Sequence, residues 1–189
     1  MIIHIIRNYV VFHKFIPTGQ MGGWTFWVGN NPKSDGGGKA YHDPEILNKY
    51  DNWCDWDKAY WKKGMEYVKA HPRRFIGLSF KKLAHLYRIT PVSNIYEGTN
   101  KRNVIISIFS YGVLFPFFIL GLIINLRGDR RISVLYAVIL LNTMMHMVFL
   151  ATIRYRLATE PLIIIFAASG LIYAVEHSGI FNLIPSRHK

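Results

Sequence analysis

The second half of the chain is written in long apolar runs. Val104 to Leu126 is 23 residues without a charge and Ile132 to Ile153 is 22. At about 1.5 Å per residue, each run is long enough as a helix to cross a hydrocarbon layer of roughly 30 Å. A third run, Pro161 to Val175, is only 15 residues long and reaches about 22 Å. It must continue through Glu176 and His177 toward Ile184, or cross a thinned bilayer. The pattern therefore predicts spans at about 104–126, 132–153 and 161–184. The hairpin Arg127-Gly128-Asp129-Arg130-Arg131 is a short basic loop of the kind that stays cytoplasmic, which would put residues 1–103 outside.

The first 103 residues alternate between other signals. Tyr9 to Phe15 reads as an extended segment, with Gly19, Gly22 and Gly23 as turn residues. Trp24-Thr25-Phe26-Trp27-Val28 reads as a β-strand, bulky at every position but Thr25. It runs into the loop Gly29 to Gly38, where Gly29, Asn30 and Asn31 offer backbone N–H groups and two carboxamides. Such a loop suits sugar hydroxyls or phosphate oxygens, and equally suits a flexible surface connection. Asp43-Pro44-Glu45 is a helix start. Trp53, Trp56, Tyr60 and Tyr67 then form an apolar helical stripe. His71-Pro72 ends that helix and opens another, in which Phe75, Ile76, Phe80, Leu83, Ala84 and Tyr87 share a face and Arg73, Arg74, Lys81, Lys82, His85 and Arg88 form the rest. That basic amphipathic helix is suited to a membrane interface. The expected fold is mainly α and integral to the membrane. A small mixed α/β extracytoplasmic region at 1–103, with a strand, a loop and two amphipathic helices, precedes three transmembrane helices in 104–189.

Composition sharpens this division. Hydrophobic residues make up 51% of the 189, and mean hydropathy is +0.15. The net charge is +12. Residues 1–103 hold 16 Lys and Arg against 8 Asp and Glu, and residues 104–189 hold 7 against 3. The excess calls for anionic partners, and beside membrane spans these are lipid headgroups or lipid phosphate. No nucleic-acid-binding motif accompanies the charge. The single cysteine, Cys54, excludes an internal disulfide. His42 with Asp51, Asp55 and Asp57 has no metal-loop spacing, so these carboxylates read as solvated or capping groups. No metal or cofactor is implied. His146, within the second apolar run, reads as a helix-to-helix hydrogen bond or a functional group.

The sharpest chemical signal is Arg154-Tyr155-Arg156, at the mouth of the third apolar run. Guanidiniums beside hydrocarbon either snorkel to the headgroups or hold an anion. Arginine's planar fork matches phosphate oxygens. In a strict helix Arg154 and Arg156 diverge by about 200°, so only one of them faces a shared anion unless the helix has ended.

The order of Arg7-Asn8-Tyr9, Trp27-Val28-Gly29-Asn30-Asn31-Pro32 with its glycine cluster, His71-Pro72 with Lys82 ten residues on, three spans, and Arg154-Tyr155-Arg156-Leu157-Ala158-Thr159-Glu160-Pro161 resembles the C-terminal part of bacterial GT-C membrane glycosyltransferases. These are similar to the dolichyl-phosphate-mannose-protein mannosyltransferases and lipid A aminoarabinose transferases. The resemblance implies a multi-pass protein of the bacterial inner membrane. Its donor would be a polyprenyl-phosphate-linked sugar, and its acceptor a glycan, lipid or protein. Arg154, Tyr155 and Arg156 would bind the donor phosphate, with Gly29, Asn30, Asn31 and Lys82 as further substrate contacts. In that family the catalytic carboxylate lies in an earlier external loop that this sequence lacks, which implies a C-terminal fragment inactive by itself. The alternative is a non-catalytic or vestigial membrane protein that binds anionic lipid.

Overall fold

A computed structural model describes residues 6–10, 21–37, 41–50, 52–90, 101–126 and 132–178. The chain divides into two compact units. Met1–His85 with His146–Ala151 forms the first, and Leu86–Met145 with Thr152–Lys189 the second.

The first unit is helical: α1 is Gly22–Asn30, α2 Pro44–Lys49, α3 Trp53–Ala70 and α4 Pro72–Leu86. The strand predicted at Trp24–Val28 is therefore a helix, and no strand occurs among the described residues. The run lacks the period-two alternation of a half-buried strand. It is apolar nearly all round, as a buried helix is, and five consecutive residues from Phe26 to Asn30 are buried. Strand propensity here yields to helix packing. The glycines read as turn residues serve that packing. A Cβ on Gly23 would collide with the Asp57 carbonyl, and one on Gly29 with the Phe149 carbonyl. Of the extended segment predicted at 9–15, residues 9 and 10 are helical and the remainder lies outside the described residues.

Capping follows sequence rules. Asp43 accepts the Glu45 N–H at 3.1 Å ahead of Pro44, and Asn52 accepts that of Cys54 at 2.9 Å. The Asp57 side chain, on α3, accepts the Trp24 N–H at 3.0 Å and so caps α1 from a neighbouring helix. His71 ends α3 and Pro72 opens α4. Trp27, Ile46, Trp56 and Tyr60 form the core.

In the second unit, α5 (Lys101–Asn125) and α8 (Glu160–His177) are long and apolar enough to cross a membrane. Only 17% and 22% of their apolar windows are buried. A core helix of a soluble protein hides such a surface; a lipid-facing one exposes it. The two pack where Gly121 and Gly170 bring the backbones together, because a Cβ on either would strike a carbonyl of the opposite helix. Phe118, Ile163, Phe166 and Ala167 fill the seam, and Asn125 Nδ2 donates to Ser169 Oγ at 2.8 Å across it. Within α5, Ile108–Gly112 is a π-helical turn four residues ahead of Pro116, whose ring crowds the Gly112 carbonyl.

Among the described residues, the predicted set of three spans is corrected to two candidate spans. Helix α6, Ser133–Val148, has 16 residues and covers about 24 Å. The apolar run continues, but Phe149, Leu150 and Ala151 leave the helix, with Leu150 and Ala151 buried. The third run is helical from Glu160 through Glu176 and His177. Positions 179–184 of the predicted span, and the hairpin 127–131, lie outside the described residues.

Candidate functional site

Two polar constellations contain the residues singled out in the sequence. The first gathers the C-terminus of α1, the middle of α4 and the end of α6. In the second half of α4 every fourth residue is buried along Leu78, Lys82 and Leu86, so the lysine lies on the inward face. Lys82 is fully buried. Its Nζ donates to Asn30 Oδ1 at 2.8 Å and to the Val148 carbonyl at 3.0 Å. Asn30 Nδ2 donates to Phe26 O and Val148 O, both at 2.9 Å. Val148 is the last residue of α6, where carbonyls lack helical partners and a cation is favoured by the helix dipole. Lys82 and Asn30 thus cap α6. Burial drives the ammonium down to about 7.

Asn31 is fully occupied too. Its Nδ2 donates to Trp27 O and Val28 O, and its Oδ1 accepts from Lys33 N at 2.8 Å. Arg74 donates to Pro32 O at 2.7 Å, which pins the following loop to α4. Gly36, at φ 89°, lies over the Lys82 stem, where a Cβ would come within 3.1 Å of Cγ. The small void beside Asn30 has no room for a water molecule. Asn30 and Lys82 are brought together, but in a dry, closed arrangement rather than an open cleft.

The second constellation surrounds α7, Ile153–Arg156, just ahead of α8. One helical turn sends the arginines apart. Arg154 and Tyr155 are exposed, whereas Arg156 is 6% exposed. Arg156 Nε donates to Glu160 Oε2 at 3.0 Å and Nη1 to the Arg88 carbonyl at 3.0 Å. Its guanidinium lies over the Tyr111 ring, 3.4 Å from the centroid. Tyr111 belongs to the π-helical turn of α5. Thr159 Oγ1 closes the turn on Arg156 O at 3.0 Å. Arg156 is accordingly a strut, and Arg154 with Tyr155 forms the face presented outward.

Sequence reading alone missed Val148, Tyr111 and Glu160 as partners. A backbone carbonyl at a helix end carries no sequence signal. Glu160, four residues after Arg156, was the one partner its spacing offered. His146 Nδ1 meets the Leu150 carbonyl at 3.0 Å, a local contact of the turn that ends α6.

Among the described residues, the fold and these sites define a helical protein with two helices long and apolar enough to cross a membrane and a buried arginine strut beside one of them. The chain matches no protein-family model, no curated protein and no solved structure.

Proposed function

We propose that this chain forms part of an integral-membrane glycosyltransferase that uses a polyprenyl-phosphate-linked sugar, and that it binds the donor's phosphate at Arg154 and Tyr155. One observation carries the reading. The buried Arg156 strut fixes α7 at the head of an apolar helix and turns Arg154 and Tyr155 outward, a guanidinium and a phenol at the end of a lipid-facing surface. A guanidinium presented there would pair with a lipid phosphate and stabilise the charge that develops as the sugar–phosphate bond breaks. Transfer would take place at the face of a bacterial inner membrane on which Arg154 lies.

A second observation concerns α4. Ile76 and Phe80 are 57% and 63% exposed while Lys82 is buried. An exposed apolar pair near Arg73 and Lys81 fits a helix lying in the headgroup region. This supports membrane binding whether or not the chain takes part in transfer. It also favours the alternative of a non-catalytic, anionic-lipid-binding protein, as does the closed state of Asn30, Asn31 and Lys82.

The test is photo-crosslinking of the full chain in nanodiscs with a diazirine-bearing polyprenyl monophosphate. Labelling concentrated on 150–160, and not competed by phosphate-free polyprenol, is the expected result. Equal labelling by the phosphate-free probe overturns the reading. Labelling competed equally by any anionic lipid selects the non-catalytic alternative.

A further inference from the structure

The first unit contains a cavity of about 430 Å³ lined by Met21, Trp24, His42, Leu47, Tyr50, Trp53 and Trp56. Neither polar constellation reaches it. Five of the seven lining residues carry rings. Trp24 stacks on His42 at 5.5 Å with planes 27° apart, and on Trp56 at 6.4 Å with planes 22° apart. Trp53 stands at 63° to Trp56, with centroids 5.2 Å apart. The floor is held rigidly. Trp24 is tied through its backbone to Asp57, and Trp56 is 6% exposed against Tyr60 at 4.6 Å. Tyr60 in turn accepts the Asp43 N–H at 2.9 Å, beside His42.

The lining selects a class of ligand. Among the described residues it has no carboxylate, lysine or arginine to fix a phosphate or another anion. A cation would find ring faces, but on a chain of net charge +12 and without a carboxylate among the described lining residues. An acyl chain prefers an aliphatic channel, and only Met21 and Leu47 here are aliphatic. Near-parallel rings beside a tyrosine and a histidine suit a ligand with flat apolar faces and hydroxyl edges. The volume falls within the roughly 300–1,000 Å³ of small-ligand sites.

We infer that this cavity binds a neutral sugar residue, packed on the exposed ring of Trp53 beside the Trp24–Trp56 floor. Its role as the subsite for a glycan acceptor rests on the transferase reading; the binding itself does not. Among the acceptors left open by the sequence, the cavity singles out the glycan.

The test titrates the full chain in detergent with methyl glycosides and neutral disaccharides, following tryptophan fluorescence and ligand saturation-transfer NMR. The expected result is saturable millimolar binding. Trp53→Ala should weaken it about five- to tenfold, the worth of one ring contact, and Trp53→Phe should restore most of it. Trp53 is 55% exposed, so its truncation spares the core. His42→Ala, on an exposed residue, gives a second reading of the same wall. No saturation by any neutral sugar up to about 50 mM, an affinity too weak to mark a site, overturns the inference. So does an unchanged affinity in Trp53→Ala, or dodecanoate binding there that no sugar displaces. The lipid-phosphate face at Arg154 is read separately by crosslinking, so either reading can fail while the other stands.

Discussion

Replacing Lys82 by methionine probes the buried knot where its energetics are most unusual. The folded amine titrates near 7 because burial removes its hydration, whereas the unfolded lysine keeps a value near 10.5. The sign follows from proton counting. Between these values the unfolded chain binds a proton that the folded chain does not, so stability rises with pH across that window and is flat below it. The slope is about 1.4 kcal/mol per pH unit. Raising the pH from about 7.5 to about 9 therefore stabilises the first unit by about 2 kcal/mol, or roughly thirtyfold in its opening constant. The Lys82→Met chain lacks this slope. It also leaves Asn30 Oδ1 without its donor and removes one of two from Val148 O, at a cost of about 1–3 kcal/mol. Cys54, 8% exposed in the same unit, reports opening through its alkylation rate. The ratio of variant to wild-type labelling cancels pH effects common to the two chains. That ratio should climb about thirtyfold over the window. Parallel pH curves for the two chains would refute the buried-amine account.

Other consequences are equally direct. Gly121→Ala or Gly170→Ala should lower the melting temperature in detergent, with a cost of about 1–3 kcal/mol or more, because each new methyl meets a carbonyl of the facing helix; an unchanged melt would contradict the close crossing. Arg156→Ala should destabilise the second unit by about 1–3 kcal/mol by removing the donor to the Arg88 carbonyl and the partner of the partly exposed Glu160 carboxylate, whereas Arg154→Ala should leave the melt within about 0.5 kcal/mol. A nitroxide placed by Phe80→Cys in a Cys54→Ser chain should be relaxed more by oxygen than by a water-soluble nickel chelate, as the exposed apolar face of α4 requires; the reverse order would place that face in water.

Much of this architecture is written locally. Asp43-Pro44 and His71-Pro72 announce helix boundaries through capping and proline geometry, and the structure starts and stops helices there. The apolar run that becomes α5 is legible from length alone, and α8 from its short run continued through Glu176 and His177. The errors arise where distant residues decide. The middle run stops short because α6 is capped at Val148 by Asn30 and Lys82, 118 and 66 positions away, and nothing local marks that end. The segment Trp24–Val28 has the composition of a strand, but Gly23 and Gly29 let other backbones approach it closely, and those contacts are visible only in three dimensions. Lys82 shows the same limit. Counted with the solvated basic face of α4, it occupies the buried one, because its partners are an asparagine and a carbonyl rather than an acid. The divergence of Arg154 and Arg156 follows from helical geometry, but which of them turns inward depends on Tyr111 and Glu160.

The most direct measurement is a titration of polyprenyl monophosphate into the full chain in nanodiscs of neutral lipid, comparing wild type with Arg154→Ala. The account predicts saturable binding, weakened about tenfold or more by Arg154→Ala, the loss of one charge-assisted phosphate contact. The melting temperature should not change. Equal affinity in the two chains, or equal affinity for the phosphate-free polyprenol, would contradict it.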